Sequence, residues 1–137
     1  MRLFGIGSTT NIPLEGEAEG VVPNPTWKAE NFDGEQWYLG NTYHTAIGQY
    51  GFQTTAIQLA RAYSAIANGG TLINPTIVAG AHGTRKKLEL NQKNLQIIHE
   101  GMRQAVAPGN TAQALNIYGV DAAGKTGTAE VGAKKEF

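Results

Sequence analysis

Gly119-Val120-Asp121-Ala122-Ala123-Gly124-Lys125-Thr126-Gly127-Thr128 is the stretch on which the fold turns, because two motifs overlap in it and imply different architectures. Taken from Gly119, the string matches the phosphate-binding loop pattern, in which backbone N–H groups cradle phosphates, the Lys reaches the terminal ones and the Thr holds magnesium. That motif needs a buried strand leading in and a helix beginning at Lys125-Thr126. Leu115 to Tyr118 is short for such a strand, Gly127 interrupts the helix at once, and eleven residues after Thr126 leave no room for an acidic metal partner. Taken from Lys125, the triplet Lys125-Thr126-Gly127 is a Lys-Thr-Gly element, whose context is a strand. There a Lys offsets a substrate carboxylate, Thr hydroxyls hydrogen-bond it, Gly lets substrate approach the backbone, and an N–H just beyond helps form an oxyanion hole. The alternation from Gly127 to Val131 predicts that strand.

Working outward, Asn91 reads as the N-cap of a helix with Leu95, Ile98, Met102 and Val106 on its buried stripe, ended by Pro108 and Gly109. Residues 111 to 115 add one helical turn. Upstream, Thr55-Ala56-Ile57-Gln58 fits a capping box. Leu59, Ala62, Tyr63 and Ile66 then recur at helical spacing, and Gly69 with Gly70 supplies a left-handed stop. Thr71 to Val78, broken by Pro75, predicts a short edge strand. Residues 1 to about 53 carry Pro13, Pro23 and Pro25 and no sustained helical period, so loops and extended segments are expected. So long a loop-rich stretch implies that it leans on something else.

The whole chain of 137 residues is long enough for about one domain with one core. Eleven Lys plus Arg balance eleven Asp plus Glu, so no global field draws nucleic acid. The balance hides an asymmetry: residues 1 to 50 hold six acids against two bases, and residues 51 to 137 hold nine bases against five acids. Arg85-Lys86-Lys87 reads as a solvated turn. The longest stretch without a charge, Gln36 to Ala60, is studded with polar residues, so no membrane span or signal peptide is read. With no cysteine, thiol nucleophiles and thiolate metal sites are excluded. His44, His82 and His99 are isolated and read as structural, and Glu15, Glu17 and Glu19 as a solvated acidic turn.

The triplet does not stand alone. Ala123 to Glu130 resembles the segment around it in high-molecular-weight penicillin-binding proteins. Ala46-Ile47-Gly48-Gln49 followed by Thr55 to Gly70 is similar to the G-Q element and T-P-x-Q-L-A helix of that family, with Ala56 where the family usually has Pro. Residues 20 to 43 resemble the loop of its elongation-type class B members, penicillin-binding protein 2. The resemblance implies an α+β fold, part of the transpeptidase and serine β-lactamase-like architecture with helices packed on an antiparallel sheet, here incomplete at both ends. Residues 1–137 would then be a partial transpeptidase domain.

It further implies a D,D-transpeptidase, in which a Ser attacks the penultimate D-Ala of a peptidoglycan stem peptide, releases the terminal D-Ala and passes the acyl group to a neighbouring amine. β-Lactams acylate the same Ser. Lys125, Thr126, Gly127 and Thr128 would line the substrate pocket, with the Thr128 N–H in the oxyanion hole. No metal or organic cofactor is implied. The expected partners are stem peptides, β-lactams and the missing part of the same domain, with no nucleic acid. Any membrane attachment would be through an anchor outside this chain, at the extracytoplasmic face of the bacterial cytoplasmic membrane. The family also needs S-x-x-K and S-x-N, yet the only serines are Ser8, followed by Thr9-Thr10-Asn11, and Ser64, followed by Ala65-Ile66-Ala67. No catalytic nucleophile is therefore expected in this chain. A phosphate-loop nucleotide binder and a nonenzymatic interaction module are the alternative readings.

Overall fold

A computed structural model describes residues 1–128. The chain divides into two compact units, Met1–Glu89 and Leu90–Phe137. Length alone predicts one core. The buried apolar residues instead fall in two places, with Ile6, Ala62, Ala65 and Leu88 in the first unit and Leu95, Val106 and Ala112 in the second.

The first unit opens with a single 3-10 turn, Arg2–Phe4, and carries three helices: α1 (Pro25–Asn31), α2 (Leu39–Ala46) and α3 (Ala56–Ala67). The loop-rich expectation for residues 1 to 53 missed α1 and α2, each too short to display a helical period. Their ends were nonetheless written locally. The Asn24 side chain accepts from the Trp27 N–H at 2.9 Å and Pro25 occupies the first helical position, where its missing N–H costs nothing. In α2 the Asn41 amide oxygen accepts from the Tyr38 N–H at 2.9 Å. α3 forms as its capping box dictates: the Gln58 N–H donates to Thr55 Oγ1 at 3.2 Å while Gln58 Oε1 accepts from the Thr55 N–H at 3.3 Å. Gly69 and Gly70 then turn the chain at φ +81° and +98°.

Strand β1 (Thr71–Ile73) follows and pairs antiparallel with β2 (Arg85–Lys87), in the register Thr71 with Lys87, Leu72 with Lys86 and Ile73 with Arg85. The strand expected over Thr71 to Val78 thus stops before Pro75, which has no N–H for a ladder. The basic triplet, expected as a turn, is the second strand. Its three side chains are solvent-exposed, as read.

Of the apolar stripe expected on α3, Ala62 is buried and Ile66 half-buried, while Leu59 and Tyr63 are each 41% exposed; the buried face is Gln58, Arg61, Ala62 and Ala65. Two polar residues therefore hold the first unit together. Gln58 is 0% exposed; its Nε2 donates to the carbonyls of Glu19 at 2.8 Å and Ser8 at 2.9 Å, and its Oε1 accepts from Thr54 Oγ1 at 2.9 Å. Arg61 donates to the Gly5 carbonyl at 2.6 Å and to Asn74 Oδ1 at 3.2 Å. Burial lowers the Arg61 pKa, and the nearby Glu17 carboxylate partly restores it.

Around these, the amino-terminal loop is fixed rather than loose. Glu17 accepts from the Thr10 hydroxyl, the Thr10 N–H and the Asn11 N–H, so it is bound within the loop and not merely solvated. Val21 and Gln53 exchange backbone hydrogen bonds of 2.8 and 2.9 Å, and a Cβ at Gly20 would lie 2.4 Å from the Gln53 carbonyl oxygen, so that crossing requires glycine. Lys28, 2% exposed, donates to the Gln36 carbonyl at 2.7 Å, Glu35 at 3.1 Å and Asn41 Oδ1 at 3.2 Å, beneath the Tyr38 ring. Tyr50 joins Trp27, Phe32 and Trp37 in a ring cluster beside it. Among the described residues no helix is long and apolar enough to cross a membrane.

Candidate functional site

The Lys-Thr-Gly stretch is reached through the second unit's helix α4 (Gln92–Val106). Asn91 caps it as the sequence predicts, its side-chain oxygen accepting from Lys93 and Asn94 N–H groups at 2.9 and 3.2 Å. Of the expected stripe, Leu95 and Val106 are buried, Met102 is half-buried and Ile98 is exposed. At the other end the chain reverses. The Asn110 amide donates to the Gln104 carbonyl at 2.7 Å, and the Ala112 N–H to the Ala105 carbonyl at 2.8 Å, which satisfies carbonyls of the last helical turns. A 3-10 turn, Gln113–Leu115, occupies the place where one helical turn is expected.

A further turn, with the Val120 N–H on the Ile117 carbonyl and Gly119 at φ +79°, sends the chain back along α4. Gly124 is the anchor. It is buried, its N–H donates to the Met102 carbonyl at 3.0 Å, and a Cβ there would meet Leu115 Cδ1 at 3.0 Å and Val106 Cγ2 at 3.8 Å. A methyl there is accommodated only if Leu115 gives way, and a larger side chain would overpack against Leu115 and Val106. Arg103 and Asp121, 3.4 Å apart and largely exposed, add a surface ion pair worth about 0–1 kcal/mol.

Immediately beyond the anchor, Lys125, Thr126, Gly127 and Thr128 are all exposed. Lys125 Nζ donates to the carbonyl of its neighbour Thr126 at 2.6 Å. The four residues expected to line a pocket are therefore consecutive and solvent-exposed. The expected strand is not assigned over Asp121–Thr128, and Ala129 to Val131 lie outside the described residues. A strand exists only with a ladder partner. The two strands of the described residues, β1 and β2, pair with each other. Nor does a helix begin at Lys125-Thr126, so the arrangement that a phosphate loop requires, N–H groups of a helix start aimed at one point, is not formed there. Among the described residues no group of three or more His, Asp or Glu side chains could hold a metal ion.

The penicillin binding protein transpeptidase domain matches residues 1–136. The chain belongs to this family. Peptidoglycan D,D-transpeptidase MrdA of Acinetobacter baumannii is 35% identical over 141 residues, covering 96% of this chain and 21% of that protein. Among solved structures, penicillin-binding protein 2 of Helicobacter pylori in complex with MreC superposes with a TM-score of 0.84 at 33% identity, over 95% of this chain and 25% of that one. Penicillin-binding protein 2 of Pseudomonas aeruginosa, in complex with WCK 5153, gives a TM-score of 0.76 at 31% identity, over 95% and 32%. The chain thus spans about a fifth of the length of the curated relative and carries a fragment of the transpeptidase fold, helices with a small antiparallel sheet.

Ser8 donates to the Gly5 carbonyl at 3.2 Å and Ser64 is exposed on α3, and neither has a Lys three residues on. What residue reading missed is the polar scaffold of Gln58, Arg61 and Lys28. For Gln58 the signal was present, since the capping box already placed it at the third position of α3, one turn from Arg61 and Ala62.

Proposed function

We propose that the chain builds part of the substrate pocket of a peptidoglycan D,D-transpeptidase, and that residues 1–137 are one portion of that domain. The observation that carries this reading is the exposure of Lys125, Thr126, Gly127 and Thr128 directly beyond the buried Gly124 anchor, within the span that matches the family. In the proposed complex Lys125 and the Thr126 and Thr128 hydroxyls receive the terminal carboxylate of a stem peptide or the equivalent acid of a β-lactam. Gly127 offers no side chain to obstruct it. The Thr128 N–H donates to the oxygen that becomes negative when a Ser attacks the substrate carbonyl. That Ser, in an S-x-x-K motif with an activating Lys, belongs to polypeptide outside these 137 residues, as does the S-x-N element.

The remainder of the same domain is the first partner. Leu39, Tyr43 and Ile47 follow one another at four-residue spacing along α2 and its end, 65%, 62% and 73% exposed, an apolar ridge of the kind that packs against another element. The relatives' greater length supplies what would cover it. The domain works at the extracytoplasmic face of the cytoplasmic membrane, where its cell-wall substrate lies.

The test is penicillin labelling followed by intact mass. A polypeptide restored with upstream S-x-x-K and S-x-N segments takes up one equivalent at the S-x-x-K serine, and the 137-residue chain takes up none. A folded restored protein that does not label, or a stoichiometric adduct on Ser8 or Ser64, would overturn the reading.

A further inference from the structure

Asn68-Gly69 is the one Asn-Gly pair in the sequence, and the turn that ends α3 is what calls for it. Asn68 is the C-cap of α3, and Gly69 and Gly70 follow at φ +81° and +98°, a left-handed path that a residue with a Cβ resists. The pair is also chemically fragile, asparagine being a thermolabile residue. With no side chain on the residue that follows, a backbone nitrogen closes readily on the asparagine amide carbon. The needs of the turn have therefore placed a reactive dipeptide at the junction of α3 and β1.

The Asn68 side chain is held at both ends. Its Oδ1 accepts from the Thr71 N–H and its Nδ2 donates to the Thr71 carbonyl, each at 2.7 Å. The attacking nitrogen is turned away as well. At ψ 13° the Gly69 nitrogen nearly eclipses the Asn68 backbone nitrogen rather than facing the Asn68 side chain, and the Gly69 N–H donates to the Ile66 carbonyl at 3.4 Å. The next peptide units are fixed from α3 and β2. The Gly70 N–H donates to the Ala65 carbonyl at 2.7 Å, and the carbonyls of Gly69 and Gly70 accept from Lys87 Nζ and the Leu88 N–H, both at 2.8 Å. All these partners lie between residues 65 and 88, so the corner is complete within this chain.

We propose that Asn68 is a latent deamidation site, kept closed in the folded chain by its two hydrogen bonds to Thr71 and released when the α3–β1 corner opens. In the reaction the Gly69 nitrogen, its proton taken by hydroxide, attacks Asn68 Cγ. A bond forms between that nitrogen and Cγ, the Cγ–Nδ2 bond breaks, and Nδ2 takes a proton from water and leaves as ammonia. Water then opens the cyclic imide at either carbonyl, giving aspartate or isoaspartate. To begin, Cγ must swing toward the Gly69 nitrogen, which breaks both bonds to Thr71. Two hydrogen bonds of ordinary strength slow that step roughly thirtyfold. Neither product carries the N–H that reached the Thr71 carbonyl, so a corner once opened and modified does not regain its protection.

The full chain, incubated at mildly alkaline pH with and without denaturing urea, tests this. Peptide mass mapping follows the amide-to-acid change at Asn68 and is blind to isomerisation at Asp33-Gly34. Circular dichroism confirms helices without urea and their loss with it. The expected result is conversion of Asn68 in urea and roughly thirtyfold slower conversion in the folded chain. Thr71→Pro removes the N–H that holds Oδ1, at the first residue of a strand, where proline is tolerated. That variant, with its helices retained, should convert about fivefold faster than the wild type. Equal rates in the folded and unfolded wild type would overturn the proposal, and so would a folded Thr71→Pro chain as protected as the wild type. The first comparison uses the unaltered chain and decides by itself if the variant does not fold. None of these outcomes bears on the Lys125 pocket.

Discussion

Gln58 donates to two carbonyls from separate loop segments while its oxygen accepts from Thr54 and Thr55, so one amide fixes the path of residues 8 to 20 over α3. Gln58→Leu would fill similar volume and leave the part-buried Ser8 and Glu19 carbonyls without this donor. The expected loss is about 2 to 4 kcal/mol, read as a lower urea midpoint. Glu17 acts on the same loop through protons. The Thr10 hydroxyl hydrogen bond is the largest cause that lowers its pKa, with the Thr10 and Asn11 N–H groups and Arg61 acting in the same direction against desolvation. A carboxyl with a lowered folded-state pKa contributes stability that is complete above its unfolded value and is lost as pH falls through the folded one. Unfolding of the wild type should therefore become easier below the ordinary glutamate range, and Glu17→Gln should flatten that dependence. An identical acid limb in the variant would show that the carboxylate does not tie the loop. These residues were not legible as a scaffold because apolar periodicity counts only the side chains that burial favours without a partner. A hydrogen-bonded amide or guanidinium is also found inside: Gln58 uses both its nitrogen and its oxygen, and Arg61 pairs its two terminal nitrogens while its Nε has no partner.

At the scale of elements, capping chemistry was the most legible part of the sequence. Thr55 and Asn91 cap α3 and α4 as read, because an N-cap is decided within three residues. Thr55→Ala should cost about 1 kcal/mol by thermal or urea unfolding. Short elements were less legible: α1 and α2 are seven and eight residues long, and β2 pairs across an eleven-residue connection that no local pattern announces. Of the strand expected over Gly127 to Val131, Gly127 and Thr128 are not in a strand and the rest lies outside the described residues; a ladder is in any case a property of two segments, which no single stretch of sequence displays. Gly124 decides how the triplet is held. Gly124→Ala would bring a methyl to Leu115 at 3.0 Å, a contact that rotation of the half-exposed Leu relieves, whereas Gly124→Val overpacks and should cost about 1–3 kcal/mol. In a restored protein the Val variant should lose β-lactam acylation where the Ala variant retains it. Equal activity of the two folded variants would remove the anchoring role.

Across the whole molecule, composition alone excluded thiol chemistry and a polyanion-attracting net charge, while the overlapping motifs left the reaction class open. Family membership and the absence of a helix at Lys125-Thr126 now separate them. Accordingly, titration calorimetry with magnesium-ATP should show no saturable binding, and micromolar binding abolished by Lys125→Ala would reinstate the phosphate loop. The central claim is that Lys125 receives a substrate carboxylate. A charge-assisted hydrogen bond contributes about 1.5 to 3 kcal/mol, or roughly tenfold to a hundredfold in rate when realised in the transition state. Lys93, exposed in the first turn of α4, makes a suitable control, since a surface charge contributes about 0–1 kcal/mol. The direct measurement is the β-lactam acylation rate constant of the restored protein and its Lys125→Ala and Lys93→Ala variants, with folding checked by circular dichroism. The predicted result is a tenfold to hundredfold loss for Lys125→Ala and near wild-type acylation for Lys93→Ala; equal losses at both positions, or none at Lys125, would contradict the account.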